Sequence, residues 1–156
     1  RTGASPEDGV IARPLGKLTV VNCASPHYLT RFGYPQSPDD LTSHAIVRYT
    51  PHLGVHPLGF EVASVNGVQW FKSGGMLTVN SRENYLAAGL AGLGIIQIPR
   101  IAVREALRAG RLIEVLPGYR AEPLSLSLIY PQRRELSRRV NLFMQWLAGV
   151  MKEYLD

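Results

Sequence analysis

The order of apolar and polar positions divides the chain into short strands and helices separated by turn residues. Residues 17–24, with Leu18, Val20, Val21 and Cys23, read as a buried strand. Ser25-Pro26 ends it, because a residue before proline is pushed out of the helical region. A short helix over 26–32 stops at Gly33, and Pro35, Pro38 and Asp39-Asp40 make a loop into a helical turn at Leu41. Residues 45–49 form a strand, and 50–60 a loop crowded with Pro51, Gly54, Pro57 and Gly59. Phe60-Glu61-Val62 and Gln69-Trp70-Phe71 alternate around Asn66-Gly67, a dipeptide that adopts positive φ cheaply, and predict an antiparallel hairpin.

The clearest pattern covers 76–116. Met76-Leu77-Thr78-Val79 is a strand, and Asn80 then caps a helix with Glu83 three residues on, a spacing at which cap and carboxylate satisfy backbone donors reciprocally. The helix stops at Gly92 or Gly94, Ile95-Ile96-Gln97-Ile98 is the next strand, and Pro99 breaks it. A helix over 100–109 ends at Gly110, and 112–115 is again extended. Such alternation predicts a parallel α/β sheet with right-handed crossovers, whose ligands sit beyond the carboxyl ends of the strands. Function is therefore expected near Asn80 and Pro99. Residues 124–130 form another apolar strand, closed by Pro131. Ser137 caps a last helix whose Val140, Phe143, Met144, Leu147, Val150, Met151 and Tyr154 recur at helical spacing and need a partner surface.

Composition narrows this picture. At 156 residues the chain suffices for one well-buried domain or two small lobes sharing strands, and 46% hydrophobic with 19% charged residues marks an ordinary globular protein. No apolar run approaches the ~20 residues that cross a bilayer, and the opening Arg1-Thr2-Gly3-Ala4-Ser5-Pro6 lacks the apolar core of a secretory signal. The expectation is a cytoplasmic protein with no membrane partner, beginning partway through a longer gene product since no initiator Met is present. Cys23 stands alone, so no intrachain disulfide forms, and its apolar run favours a buried strand residue over a reactive thiol. Much of the net charge of +5 comes from arginines such as Arg100, Arg104, Arg108 and Arg111, most of them at helical spacing on solvated faces without interleaved aromatics, which does not point to nucleic acid.

Catalytic and metal chemistry find little support. His52 and His56 are four apart, but Gly54 and Pro57 keep them off one helix face and no Cys or carboxylate completes a ligand set. Gly89, Gly92 and Gly94 precede a strand, whereas a dinucleotide loop follows one, so they read as cap and packing glycines. No nucleophile elbow, Walker sequence or carboxylate pair with a positioned base is present. No cofactor, metal or catalytic residue is expected.

Taken in order, Ile11-Ala12-Arg13-Pro14-Leu15-Gly16, Cys23-Ala24-Ser25-Pro26 with Tyr28-Leu29, Asn80 through Ala91-Gly92-Leu93-Gly94-Ile95 to Pro99, Gly110-Arg111-Leu112, and Tyr130-Pro131 with Arg133-Arg134 resemble the effector-binding domain of LysR-type transcription regulators. The resemblance implies an α/β, periplasmic-binding-protein-like two-lobe fold with mixed, mainly parallel sheets. Residues 1–24 would be a near-lobe remnant and first crossing strand, 25–123 the complete far lobe, and 124–156 the return strand and C-terminal helix of the near lobe, whose first part is missing. It implies a bacterial ligand sensor, not an enzyme, assembled as a homodimer or tetramer. DNA would be bound only through a helix-turn-helix domain absent from this chain. A periplasmic-type solute-binding protein, which uses a similar cleft, is the alternative.

The effector expected is a small, carboxylate-bearing metabolite. Asn80, Ser81, Arg82 and Glu83 open a helix after a parallel strand, where free N–H groups and the helix dipole favour an anion by roughly 0.3–2 kcal/mol. Ordinary capping by Asn80, with Arg82 in solvent, is the other reading of the same residues. Ser25 at the end of the first crossing strand, and Ile98 with Pro99 at the end of the next parallel strand, are expected to face the same crevice. Arg1, Thr2 and Gly3 resemble the segment leaving the near lobe beside the cleft, where a guanidinium pairs with a carboxylate; a frayed terminus is the competing reading.

Overall fold

The structure, a computed structural model, describes residues 10–51, 59–131 and 137–155. In chain order these form β1 (Val10–Leu18), β2 (Val20–Ala24), α1 (Pro26–Phe32), a 3-10 turn (Pro38–Thr42), β3 (Ala45–Tyr49), β4 (Phe60–Ser64), β5 (Gly67–Phe71), β6 (Gly74–Val79) and α2 (Arg82–Leu90). There follow β7 (Ile96–Pro99), α3 (Arg100–Arg108), β8 (Ile113–Glu114), β9 (Leu124–Pro131), α4 (Arg138–Met151) and a closing 3-10 turn (Lys152–Tyr154). By their contacts they fall into two compact units, one within Arg1–Thr19 and Pro123–Asp156, the other within Val20–Glu122. The single strand expected over 17–24 is thus two strands parted at Thr19, each pairing in a different sheet.

In the first unit β1 and β9 pair antiparallel from Val10↔Pro131 to Leu18↔Leu124. The register shifts between Pro14 and Gly16, where proline removes a ladder donor and a bulge absorbs the gap. The Ser137 hydroxyl caps α4, accepting from the Val140 N–H at 3.4 Å. The apolar stripe of this helix forms as its spacing predicts, yet only Met144 on it is buried; Phe143 and Trp146 are 57% and 61% exposed, with rings 5.7 Å apart.

The second unit is built on strands of both directions. β3 pairs parallel with β6, an isolated parallel bridge joins Ile46 to Ile95 just before β7, and β2 lies antiparallel between β7 and β8. β3, β6, β7 and β8 therefore point one way and β2 the other. The strand-helix series over 76–116 is parallel in direction, as expected, but β7 and β8 are separated by β2. Alternation along the strands sends Val21, Cys23 and Val47 into a core with Ile96, Ile98 and Val103 under α2 and α3. The opposite faces send Ala24 and Ile46 into a core with Tyr28, Phe60 and Leu116.

Two local features depart from the sequence reading. The β4–β5 hairpin is antiparallel as expected, in the register Phe60↔Phe71 to Ser64↔Gly67, but Val65 and Asn66 form the turn and the positive φ falls on Gly67 alone, at 104°. A polar group also sits in the core: the buried Asn22 amide donates to the carbonyls of Leu116 at 3.3 Å and Tyr119 at 2.9 Å, and its oxygen accepts from Gln97 Nε2 at 2.9 Å. These bonds fasten the bend at Leu116, a non-glycine residue at φ 48°, a conformation that a branched side chain adopts only when its surroundings hold it.

Candidate functional site

Because β3, β6 and β7 run in one direction, their carboxyl ends meet at one edge of the second unit, and both α2 and α3 begin there. Ser81 caps α2 from an extended conformation (φ −118°, ψ 140°); its hydroxyl accepts from the Asn84 N–H at 3.2 Å and donates to Glu83 Oε2 at 2.8 Å. The expected cap, Asn80, is instead an exposed bend residue. The helix starts one residue later than its spacing suggested, so Asn84 occupies the third helical position and Glu83 the second. Glu83 is held below its ordinary carboxylate value by the hydrogen bond from its own N–H, then by the Ser81 hydroxyl and by Arg82. Arg82, the first helical residue, is exposed.

Pro99 precedes α3 at φ −55°, ψ 130°, and no side chain caps that helix. A proline offers no hydrogen-bonding side chain, so α3 opens with uncapped donors at the same edge. Arg100 follows, its Nη1 3.4 Å from Glu114 Oε2, while Arg120 Nε holds the other Glu114 oxygen at 2.8 Å. Ile98 lies beside Pro99 in the chain but points into the core with Val21 and Val103.

Ser25 is not brought to this edge, contrary to the expectation that it shares a crevice with Ile98 and Pro99. β2 runs against β7, pairing Val20 with Pro99 and Cys23 with Ile96, so the residue after β2 emerges at the amino end of β7. There Ser25 is buried and caps α1, its hydroxyl accepting from the Tyr28 N–H at 3.2 Å. Arg1, Thr2 and Gly3 lie outside the described residues, as do His52 and His56.

Three residues at the carboxyl edge were not singled out from sequence. Tyr49, the last residue of β3, pairs with Val79; it is 38% exposed and its ring centroid lies 5.8 Å from that of Tyr85. Thr50 is buried, and its N–H donates to the Val79 carbonyl at 2.9 Å. The Tyr85 hydroxyl accepts from the Gln97 N–H at 2.8 Å and approaches the Gln97 carbonyl at 3.3 Å, satisfying backbone groups where β3 and β7 part beyond their single bridge. Burial pushes the Tyr85 phenol up to about 12, so it stays neutral. The end of the 45–49 run was the available signal for Tyr49, but only the strand order brings it beside α2.

An exposed amide, a capping hydroxyl, two arginines, a phenol and two helix N-termini lie along this edge, with the carboxylates of Glu83 and Glu114 beside the arginines. Cys23 offers no nucleophile: it is fully buried, and burial, then Glu114, pushes its thiol up to about 12. Among the described residues no group of three His, Cys, Asp or Glu is placed to hold a metal ion.

A family model described as the LysR substrate binding domain matches residues 1–152. The chain is 97% identical over 156 residues to the HTH-type transcriptional regulator YhjC of Escherichia coli strain K12, covering 100% of this chain and 52% of that protein. It is 34% identical over 140 residues to an HTH-type transcriptional regulator of Haemophilus influenzae, covering 90% of this chain and 48% of that one. It spans about half the length of these curated relatives. In three dimensions it resembles the regulatory domain of CrgA, a LysR-type regulator of Neisseria meningitidis, with TM-score 0.80 and 24% identity over 95% of this chain and 72% of that one.

Proposed function

This chain belongs to the LysR substrate-binding domain family, and on that premise we propose that it binds a small carboxylate-bearing effector at the carboxyl edge of β3, β6 and β7. The whole protein would be a cytoplasmic bacterial transcription regulator, acting as a homodimer or tetramer and touching DNA only through a helix-turn-helix domain outside this chain. The observation that carries the binding reading is the pair of helix N-termini at one edge, each opened by an arginine, Arg82 on α2 and Arg100 on α3. A cation at the first helical position opposes the helix dipole, and an anion bound between helix and guanidinium would offset that cost.

The relatives are named as HTH-type transcriptional regulators, so the periplasmic solute-binding alternative is not favoured. A role other than catalysis fits those names. Binding would act by shifting the population of two arrangements of the regulator, to the extent that the effector prefers one.

Titration calorimetry of the full-length regulator against small carboxylic acids and their amides tests this. An acid is expected to bind and its amide to fail. Arg82→Ala should weaken the acid about tenfold or more, since a hydrogen bond to a charged group is worth ~1.5–3 kcal/mol, and Ser81→Ala should weaken it less. Binding of no acid, or equal binding of acid and amide, overturns the proposal.

A further inference from the structure

We propose that Asn66 is a site of spontaneous deamidation, at which the Gly67 backbone nitrogen displaces the side-chain amide nitrogen and leaves aspartate or isoaspartate at the tip of the β4–β5 hairpin. The Gly67 nitrogen, giving up its proton, bonds to Asn66 Cγ. The Cγ–Nδ2 bond breaks, and the amide nitrogen leaves as ammonia carrying that proton. Water then opens the five-membered imide: cleavage of the new N–Cγ bond gives aspartate, and cleavage of the original peptide C–N bond gives isoaspartate. One water is consumed, one ammonia is released, and nothing is oxidised or reduced.

The reaction needs an exposed side chain, a following nitrogen without a hindering Cβ, and a backbone able to leave its starting geometry. Asn66 and Gly67 are both exposed, and an added Cβ at Gly67 would meet nothing within 4 Å. The Asn66 N–H is held by Ser64 Oγ at 3.2 Å, but no hydrogen bond to its side-chain amide occurs among the described residues. Gly67 pairs with Ser64 as the last rung of the ladder, where the cost of local opening is smallest.

The other four asparagines lack one condition each. Asn22 is buried and bonded. Asn84 and Asn141 lie in α2 and α4, whose helical backbones turn the next nitrogen away from the side chain. Asn80 is exposed but is followed by Ser81, whose Cβ crowds the approach and whose hydroxyl is fixed in the cap. Conversion at Asn66 would place a negative charge beside the fully exposed Val65. Isoaspartate would also add a backbone carbon to the turn, disturbing the pairs Ser64↔Gly67 and Ala63↔Val68 nearest to it.

Trypsin places the five asparagines on five separate peptides, 18–31, 49–72, 73–82, 83–100 and 140–152. The purified protein is incubated at neutral pH and body temperature, digested at intervals, weighed by mass spectrometry and labelled with isoaspartyl methyltransferase. The mass gain of amide-to-acid conversion and the methyl label are expected on peptide 49–72 well ahead of the other four. Asn66→Gln should slow it about tenfold or more, because the longer side chain forms its ring less readily and has more rotamers to fix. Conversion of peptide 49–72 no faster than peptide 73–82, or a methyl label that persists in Asn66→Gln, overturns the proposal.

Discussion

His44 is buried just before β3, its Nδ1 3.0 Å from the Tyr28 hydroxyl, and that hydroxyl accepts from the Ala45 N–H at 2.9 Å. Burial pushes its pKa below 6.5, and nearby Asp40 opposes that shift more weakly. The unfolded chain thus takes up a proton that the folded chain resists. Its contribution to stability is complete above the unfolded value near 6.5 and declines as the pH falls from there through the depressed folded value. Thermal midpoints measured from neutral to mildly acidic pH should fall across that window, and His44→Gln should flatten the fall. Asp40, held lower than usual by the N–H groups of Gln36 and Ser37, titrates only in stronger acid. At this scale the sequence was legible to within a residue or a strand direction. A capping residue before α2 was foreseen, but Ser81 rather than Asn80 fills that place, because the cap is whichever residue is last in extended geometry. Ser25 was read as facing the site because nothing in its neighbourhood reveals that β2 runs against β7.

The turn between α2 and β7 combines two constraints at Gly92, which has φ +75° and whose added Cβ would lie 3.0 Å from Ser25 Oγ and 3.2 Å from His27 Cδ2. Gly92→Val should therefore destabilise by about 1–3 kcal/mol through backbone strain, with crowding adding to it. Denaturant unfolding should show a lowered midpoint, and Gly92→Ala should fall between it and the parent. A midpoint unchanged in Gly92→Val would mean that the turn tolerates a side chain. Elements bounded by strong punctuation were read almost as they stand: α1 between Ser25-Pro26 and Gly33, α3 between Pro99 and Gly110, and α4 from Ser137. The break at Thr19 was missed because residues on both sides are apolar and extended. What separates them is the partner, β9 for β1 and β7 with β8 for β2, and local periodicity carries no record of partners.

The second unit occupies the unbroken stretch Val20–Glu122 and contains two apolar cores of its own. Expressed alone, residues 20–122 should unfold in one cooperative denaturant transition by circular dichroism. A fragment without such a transition would show that the unit depends on the rest of the chain. The parallel direction of β6, β7 and β8 could be read from the strand-helix rhythm, whereas the insertion of β2 between the last two could not. The first unit draws on both ends of the sequence, and this has a consequence for birth on the ribosome. β1 is made well before its mate, because the ladder partner of Leu18 is Leu124, 106 residues later (124 − 18). At roughly 5–20 residues per second of synthesis, the edge of β1 stays without its mate for about 5–20 s. A nascent-chain-binding chaperone would find an opportunity there.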